Sequence, residues 1–321
     1  MQIIRKYICK KLDLAQSALR TAGRSGAWAV GLGLMALLAG CTHVPLPPGP
    51  GGAVVVPVTE PLRIGLALGG GAARGFAHVG VIQVLEEAGI RPHAVAGTSA
   101  GSLVAALYAS GQSASQLRQL AETMEEGAIT DWVLPLFNRG ALKGEALAGY
   151  VNRQVEGRAI EHMALPLGIV ATDLRSGEAV LFRRGNTGTA VRASSAVPGV
   201  FVPVGIGGRE YVDGGLVAPV PVQQVRQMGA NFVIAVDISS DPAGNPAADT
   251  FQILLQTFAI MGRSINQLAL READVVVRPG LASISSADFA ARRRAIEAGR
   301  QAMLAELPRL RAAMARRQGP G

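Results

Sequence analysis

A serine that attacks a carbonyl needs a turn that exposes its hydroxyl, a base that takes its proton, and donors for the charge that develops on the carbonyl oxygen. Gly97-Thr98-Ser99-Ala100-Gly101 fits G-x-S-x-G, and the residues around it read as strand, turn and helix. Gly97 and Gly101 let the chain turn sharply with no Cβ in the way. Ser99 is then presented at a helix N-terminus, where backbone amides and the helix dipole favour negative charge. The same pentapeptide also occurs as a purely structural turn, so its meaning depends on its partners.

The four histidines are His43, His78, His93 and His162. A Ser–acid–His order would have to use His162, and only Asp131 and a few Glu lie between it and Ser99, none at the end of an expected strand. Orders that put the acid before the serine leave only Asp13, inside the N-terminal leader. His78 and His93 read as a helix residue and a loop residue. A carboxylate remains: Asp213, in Tyr211-Val212-Asp213-Gly214-Gly215, follows an apolar stretch and precedes two glycines. Within hydrogen-bond reach of a serine hydroxyl, it can take the proton as acylation proceeds. An ordinary Asp-Gly turn has the same local sequence.

Gly69-Gly70-Gly71-Ala72-Ala73-Arg74-Gly75 follows the first expected strand. A P-loop would need Lys-Ser/Thr after its last Gly, where Phe76-Ala77 stand. The dinucleotide fingerprint finds Ala72 or Arg74 where Gly is required. A run of amides opening a helix suits an oxyanion hole instead, with Arg74 adding positive charge.

The elements that would position these groups follow from periodicity. Leu62–Leu68, His93–Gly97, Leu165–Thr172 and Asn231–Asp237 read as strands, and Phe76–Ala88 and Ser102–Ser110 as helices. Repeated strand–turn–helix units argue an α/β fold with a parallel core. Residues 113–160 read as helical, with breaks near Gly127 and Pro135. Ala179–Phe182 reads as a strand pairing back, and Phe201–Val212 as a hairpin leading to Asp213. Residues 251–271 and 286–316 read as helical, the latter interrupted at Pro308.

Charge excludes one function class. Of the net +8, residues 1–40 carry +5 and residues 292–321 carry +6, so the body from 41 to 291 is −3. No basic stripe with interleaved aromatics appears in the body, so nucleic acid is not an expected partner. Cys9 and Cys41 are too few for a disulfide framework. No cluster with metal-ligand spacing is visible, and Ser–Asp chemistry calls for no cofactor.

The glycine-rich loop with Arg74, the G-x-S-x-G segment and the Asp-Gly-Gly segment, in that order, resemble the patatin-like phospholipase family, most of all its bacterial branch. The stretches Gly75-Phe76-Ala77-His78-Val79-Gly80-Val81, Ala171-Thr172-Asp173 and Arg192-Ala193-Ser194-Ser195-Ala196-Val197-Pro198-Gly199 carry the likeness further, over residues 63–240 or so. The resemblance implies a three-layer α/β/α fold with a mainly parallel central sheet. It implies hydrolysis of acyl esters in (phospho)lipids by a Ser–Asp dyad, with Ser99 as nucleophile and Asp213 as base. It also implies that the loop Gly70, Gly71, Ala72, Ala73, Arg74 donates the oxyanion amides, and that Gly75, Gly97, Gly101, Gly214 and Gly215 are the motif glycines. The chain departs from the family at Ala72, where the middle glycine of the loop is expected and where Ala resists positive φ. It departs again at Ala218, where bacterial members often place Asn. Ser194 and Ser195 are expected as wall or cap residues. Asp173 and Arg192 either order the site or form an ion pair elsewhere. An acyltransferase with the same dyad, or a non-catalytic membrane-tethered scaffold, are the competing functions.

Ahead of the body, a basic stretch ends near Arg24 and an apolar run spans Ala27–Gly40, the size of a signal h-region. It ends in Leu38-Ala39-Gly40-Cys41, which resembles the lipobox of bacterial lipoproteins. That resemblance implies acylation of Cys41 and anchoring in the bacterial cell envelope, with Thr42 favouring the outer membrane, facing the periplasm. The expected organisation is therefore a signal peptide at 1–40, a Pro/Gly-rich tether at 41–61, the catalytic domain at 62–280 and a basic helical segment at 281–321. The last reads as a packed helix with a solvated basic face or as a membrane-surface helix.

Overall fold

The computed structural model describes residues 60–125, 127, 131, 140–243, 248 and 250–318. The expected leader, Cys41, the tether up to residue 59 and the break at Pro135 lie outside these residues. The described residues fall within one compact unit, Val58–Gly321.

Strand β1 (Ile64–Leu68) feeds a short 3-10 turn and helix α1 (Ala77–Glu87). Strand β2 (Ala94–Thr98) feeds α2 (Ala100–Ala109), and α3 (Ala114–Thr123) follows. Then come β3 (Gly140–Leu142), α4 (Glu145–Gln154), β4 (Leu167–Asp173), β5 (Ala179–Phe182) and α5 (Thr187–Ser194). The second half holds β6 (Gly199–Phe201), β7 (Val204–Ile206), β8 (Arg209–Asp213), α6 (Val222–Gln227) and β9 (Phe232–Val236). It closes with α7 (Thr250–Ala269), β10 (Val275–Val277) and α8 (Arg292–Gln318).

The main sheet runs β10-β9-β1-β2-β4-β8-β7, with β5 also on β4. Strands β10, β9, β1, β2 and β4 are mutually parallel; β5, β8 and β7 bring antiparallel pairings. Side chains alternate across a strand, and both faces here are covered, so the strands are apolar throughout. Leu66, Leu68, Phe232, Ile234 and Val236 pack into one face with α1, α2 and α8. The intervening Ala67, Val233 and Ala235 face the opposite side, with Val222 and Val225 of α6. The result is the expected three-layer α/β/α arrangement.

Helix α8 belongs to this body. Gly80 of α1 and Gly299 of α8 face each other so closely that a Cβ on either would meet the other helix's backbone. Ala295, Ile296, Met303 and Leu310 of α8 are buried.

Two expectations need correction, and one element was missed. Helix α8 runs on through Pro308 rather than breaking there; tertiary packing over its length outweighs the one backbone bond a proline deletes. Between the helices α3 and α4 lies β3, which pairs in parallel with β6. The edge strand β10 was not foreseen either. Both are three residues long, too short to show a period.

Candidate active site

Strand β4 explains how two distant segments meet. Its residues 167–170 pair with β2, ending at Thr98 opposite Val170. Its residues 171–173 pair with β8, ending at Asp213 opposite Ala171. Strand β5 overlaps both stretches, 169–172, and so occupies the other edge. Strands β2 and β8 therefore lie on the same edge of β4, pointing at each other, and their ends are one register step apart. Ser99 leaves the first end and Asp213 closes the second.

The Ser99 backbone has φ 53° and ψ −124°. A non-glycine residue held at positive φ is strained, which is what a sharp strand-to-helix elbow imposes. Gly97 and Gly101 press together across the elbow, and Gly214 abuts the Val170 carbonyl. The Ser99 hydroxyl donates to Asp213 Oδ2 at 2.7 Å. Asp213 Oδ1 accepts from the Gly215 amide at 2.6 Å. Burial raises the Asp213 pKa from 3.8 to about 6, against the two hydrogen bonds, which lower it. The carboxylate is thus a stronger base than an exposed aspartate, yet still ionised at neutral pH.

The glycine-rich loop lies against this pair: a Cβ on Gly70 would come within 3.1 Å of Ser99 Cβ. Not all its amides are available. Gly70 N–H donates to Pro219 O, Ala73 N–H to Ser286 O, and Arg74 N–H to Gly71 O. Among the described residues no partner takes the amides of Gly71 and Ala72, which leaves these two as the loop's free donors. Ala72 does adopt positive φ, 49°, so the backbone shape that glycine makes easy is kept here at a cost in strain. The Arg74 side chain is buried and its Nε donates to Ile284 O at 2.8 Å. It ties the loop to the 281–286 segment rather than offering its charge beside Ser99.

Several supporting groups were not assigned these roles from sequence. Ser194 Oγ accepts the Ser99 amide at 2.8 Å and donates to Val170 O at 2.5 Å, bolting the elbow to β4. Thr172 Oγ1 donates to Asp213 O, and Thr98 Oγ1 to Ala218 O, both at 2.8 Å. Only Ser194's place in the Arg192–Gly199 stretch hinted at this; hydroxyls inside apolar strands give no signal of what they bond. His78 is fully buried, its Nε2 2.8 Å from Gly69 O. Burial lowers its pKa to about 4, so the ring is neutral and Nε2–H holds the start of the loop. Asp173 bonds the Arg175 and Ser176 amides and pairs with Arg209, and Arg192 donates to Lys143 O. Neither contacts the dyad.

Ser99 opens on a cavity of about 170 Å³ between α1, α2 and α3. Val79, Leu103, Leu107, Leu117, Leu120 and Met124 line it, and only Ser99 and Ser195 among its lining residues are polar. Such a slot has the chemistry to hold a flexible apolar chain. Among the described residues no group of three or more His, Cys, Asp or Glu could hold a metal ion.

Comparison with known proteins places this site in context. A family model described as patatin-like phospholipase matches residues 66–226. An uncharacterized NTE family protein of Mycobacterium tuberculosis is 38% identical over 188 residues, 58% of this chain and 52% of that protein. Patatin-like phospholipase domain-containing protein 6 of Homo sapiens is 33% identical over 230 residues, 70% of this chain and 16% of that protein. The chain thus spans about half the length of the mycobacterial relative and a smaller share of the human one. The crystal structure of VipD from Legionella pneumophila superposes with a TM-score of 0.54 at 15% identity, covering 77% of this chain and 67% of that one. That is a likeness of fold.

Proposed function

Because the chain belongs to the patatin-like phospholipase family, we propose that it is a serine acyl hydrolase that cleaves acyl ester bonds of (phospho)lipids with Ser99 and Asp213. The observation that carries this reading is the 2.7 Å bond between the two side chains at the mouth of an apolar cavity. Asp213 takes the hydroxyl proton as Ser99 Oγ bonds to the ester carbon. The carbonyl oxygen becomes an oxyanion facing the Gly71 and Ala72 amides. When the intermediate collapses, the carbon–oxygen bond to the alcohol breaks and Asp213 returns its proton to the departing oxygen. Water then attacks the acyl-serine, Asp213 takes one of its protons, and collapse releases the fatty acid and restores the hydroxyl.

The anchor belongs to the same proposal: Cys41, after Leu38-Ala39-Gly40, carries acyl chains that keep the protein in the cell envelope. Cys41→Ala should abolish incorporation of labelled palmitate into the protein.

The deciding experiment measures release of free fatty acid from phospholipid and from a short-chain ester by the full-length protein, beside Ser99→Ala. Loss of at least about a hundredfold in the variant, with free fatty acid as product, supports the reading. Transfer of the acyl group to an added alcohol with no free acid would make it an acyltransferase. Equal activity of variant and wild type, or no turnover of any ester, would sink the dyad.

A further inference from the structure

Helix α7 is unusual for a surface helix. Its 20 residues include a single charged one, Arg263, and that guanidinium is neutralised by Asp241 at 2.7 Å. Residues 253, 257, 260, 264 and 268 fall on one face by helical spacing, and all five are exposed. Three are large and apolar: Ile253 is 53%, Ile260 51% and Leu268 66% exposed, with Met261 beside them at 45%. The other two are Thr257 and Ser264, and each spends its hydroxyl on its own helix, bonding Ile253 O at 2.9 Å and Ile260 O at 3.2 Å. Their donors are satisfied without water. The centre of this face is therefore apolar in effect over about four turns, with the exposed Gln267 at its edge, beyond what scattered surface apolar residues explain.

Other sides of α7 rim the candidate active site. Leu254 reaches Gly199, beside Val197 and Phe201 of the cavity wall, and Gly262 lies against Pro219, whose carbonyl holds the Gly70 amide. The helix also packs on the Gly214–Leu216 turn that follows Asp213. No described helix is long and apolar enough to cross a membrane.

We propose that the outer face of α7 docks on a lipid bilayer, lying in the headgroup–acyl boundary with Ile253, Ile260, Met261 and Leu268 inserted, so that the mouth of the Ser99 cavity meets the lipid in place. This deepens the acyl-hydrolase reading and rests on it. The occupant follows from charge and reach. An uncharged face with its hydroxyls internally bonded complements hydrocarbon rather than a polar protein surface. The chain outside the described residues joins the body at Glu60 and carries the apolar run Ala27–Gly40 before Cys41. The stretch from Cys41 to Glu60 spans at most about 70 Å when extended, which lets an anchored body settle its α7 face on the same bilayer. Packed helix α8 offers no comparable face: Leu304 is its only large exposed hydrophobic residue.

The test uses the full-length protein reconstituted on vesicles of neutral phosphatidylcholine. One arm compares wild type with the double variant Ile253→Asn/Ile260→Asn on vesicle phospholipid and on a soluble short-chain ester. Docking predicts a fall of at least about tenfold on vesicles, with ester turnover and melting temperature unchanged. A second arm uses Ile260→Trp and reads its fluorescence, minus that of wild type, in vesicles whose acyl chains are brominated. Quenching supports insertion. No quenching, with equal vesicle turnover, overturns the proposal, as does a shift of the double variant from dimer to monomer without change on vesicles, which would assign the face to a second copy. Absence of ester turnover in wild type condemns the hydrolase reading instead, while the fluorescence arm still decides whether α7 inserts.

Discussion

Ser99 and Asp213 meet because the strands that carry them end head to head on one edge of β4, Thr98 opposite Val170 and Asp213 opposite Ala171. Backbone ladders set that approach, and Thr172 and Ala196 hold Asp213 through its backbone carbonyl and amide. The carboxylate charge is therefore not what assembles the site. Asp213→Asn should keep the fold, with its amide spanning Ser99 and the Gly215 N–H, and should lose at least about a hundredfold in kcat for want of a base. It should also be more stable than wild type at pH 8. Burial costs the ionised form about two pKa units, on the order of 3 kcal/mol as an upper figure. Thermal melts of the two proteins at pH 8 check this, and a lower melting temperature for the variant would count against it.

The same raised pKa fixes a pH profile. Asp213 must be ionised to act, and it ionises near 6 rather than 3.8. On a soluble ester kcat/KM should rise about tenfold per unit below pH 6 and level off above 7. A profile already flat at pH 5 would mean an ordinary carboxylate or a different base. Stability runs the other way for this group. Its folded pKa lies above its unfolded one, so its contribution is fully present below about 3.8 and is lost as pH rises through about 6.

His78 works in the opposite sense. Burial holds its pKa near 4, below the usual 6.5. The unfolded chain takes up a proton as pH falls through 6.5 and the folded protein does not until about 4, so stability drops across that window. Replacing His78 by Gln, which can still donate toward Gly69 O, should flatten the acid side of the stability curve between pH 6.5 and 4. Urea midpoints read at half-unit steps would show whether it does.

Ser194 is the group whose importance the sequence concealed. Its Oγ both accepts the Ser99 amide and donates to Val170 O in a fully buried place. Ser194→Ala leaves the strained Ser99 amide and a strand carbonyl short of a partner, which costs about 1–3 kcal/mol. Its effect on turnover should fall on kcat rather than KM, because the hydroxyl reaches Ser99 through the backbone and not the substrate. A KM change with kcat intact would contradict that role.

What could be read beforehand divides along physical lines. Strands buried on both faces announce themselves as short apolar runs, so β1, β2, β4 and β9 were legible, and with them the parallel core; the three layers came with the family resemblance. The G-x-S-x-G and Asp-Gly-Gly segments were legible because close backbone approach admits only glycine. That Asp213 is the partner of Ser99 followed from want of a histidine and from the family resemblance, since nothing local reveals that β8 and β2 share an edge of β4. The loop was legible as a source of amides but not which of them stay free, because Pro219 and Ser286, which take the Gly70 and Ala73 amides, are far away in sequence. Helix α7 read as helical, yet its outward apolar face shows only once Gly199 and Pro219 fix which side turns inward.

Ala72 offers the last prediction, since it occupies the loop's positive-φ position without being glycine. An L-residue there bears roughly 1–2 kcal/mol of strain, while glycine would lose about 0.5–1 kcal/mol more backbone freedom on folding. The difference favours Ala72→Gly by about 0.5–1 kcal/mol, and because the side chain is exposed little packing is lost. Turnover should be at least that of wild type, since the Gly71 and Ala72 amides stay in place. Ala72→Val should do the reverse: a β-branched side chain at φ 49° forces the loop toward another conformation and takes the two free amides with it. Loss of turnover in the Val variant with full activity in the Gly variant would tie the loop's backbone shape to the reaction. Equal turnover in both would show that this shape does not matter and that the oxyanion is held elsewhere, the Ala100 amide at the start of α2 being the next donor to examine.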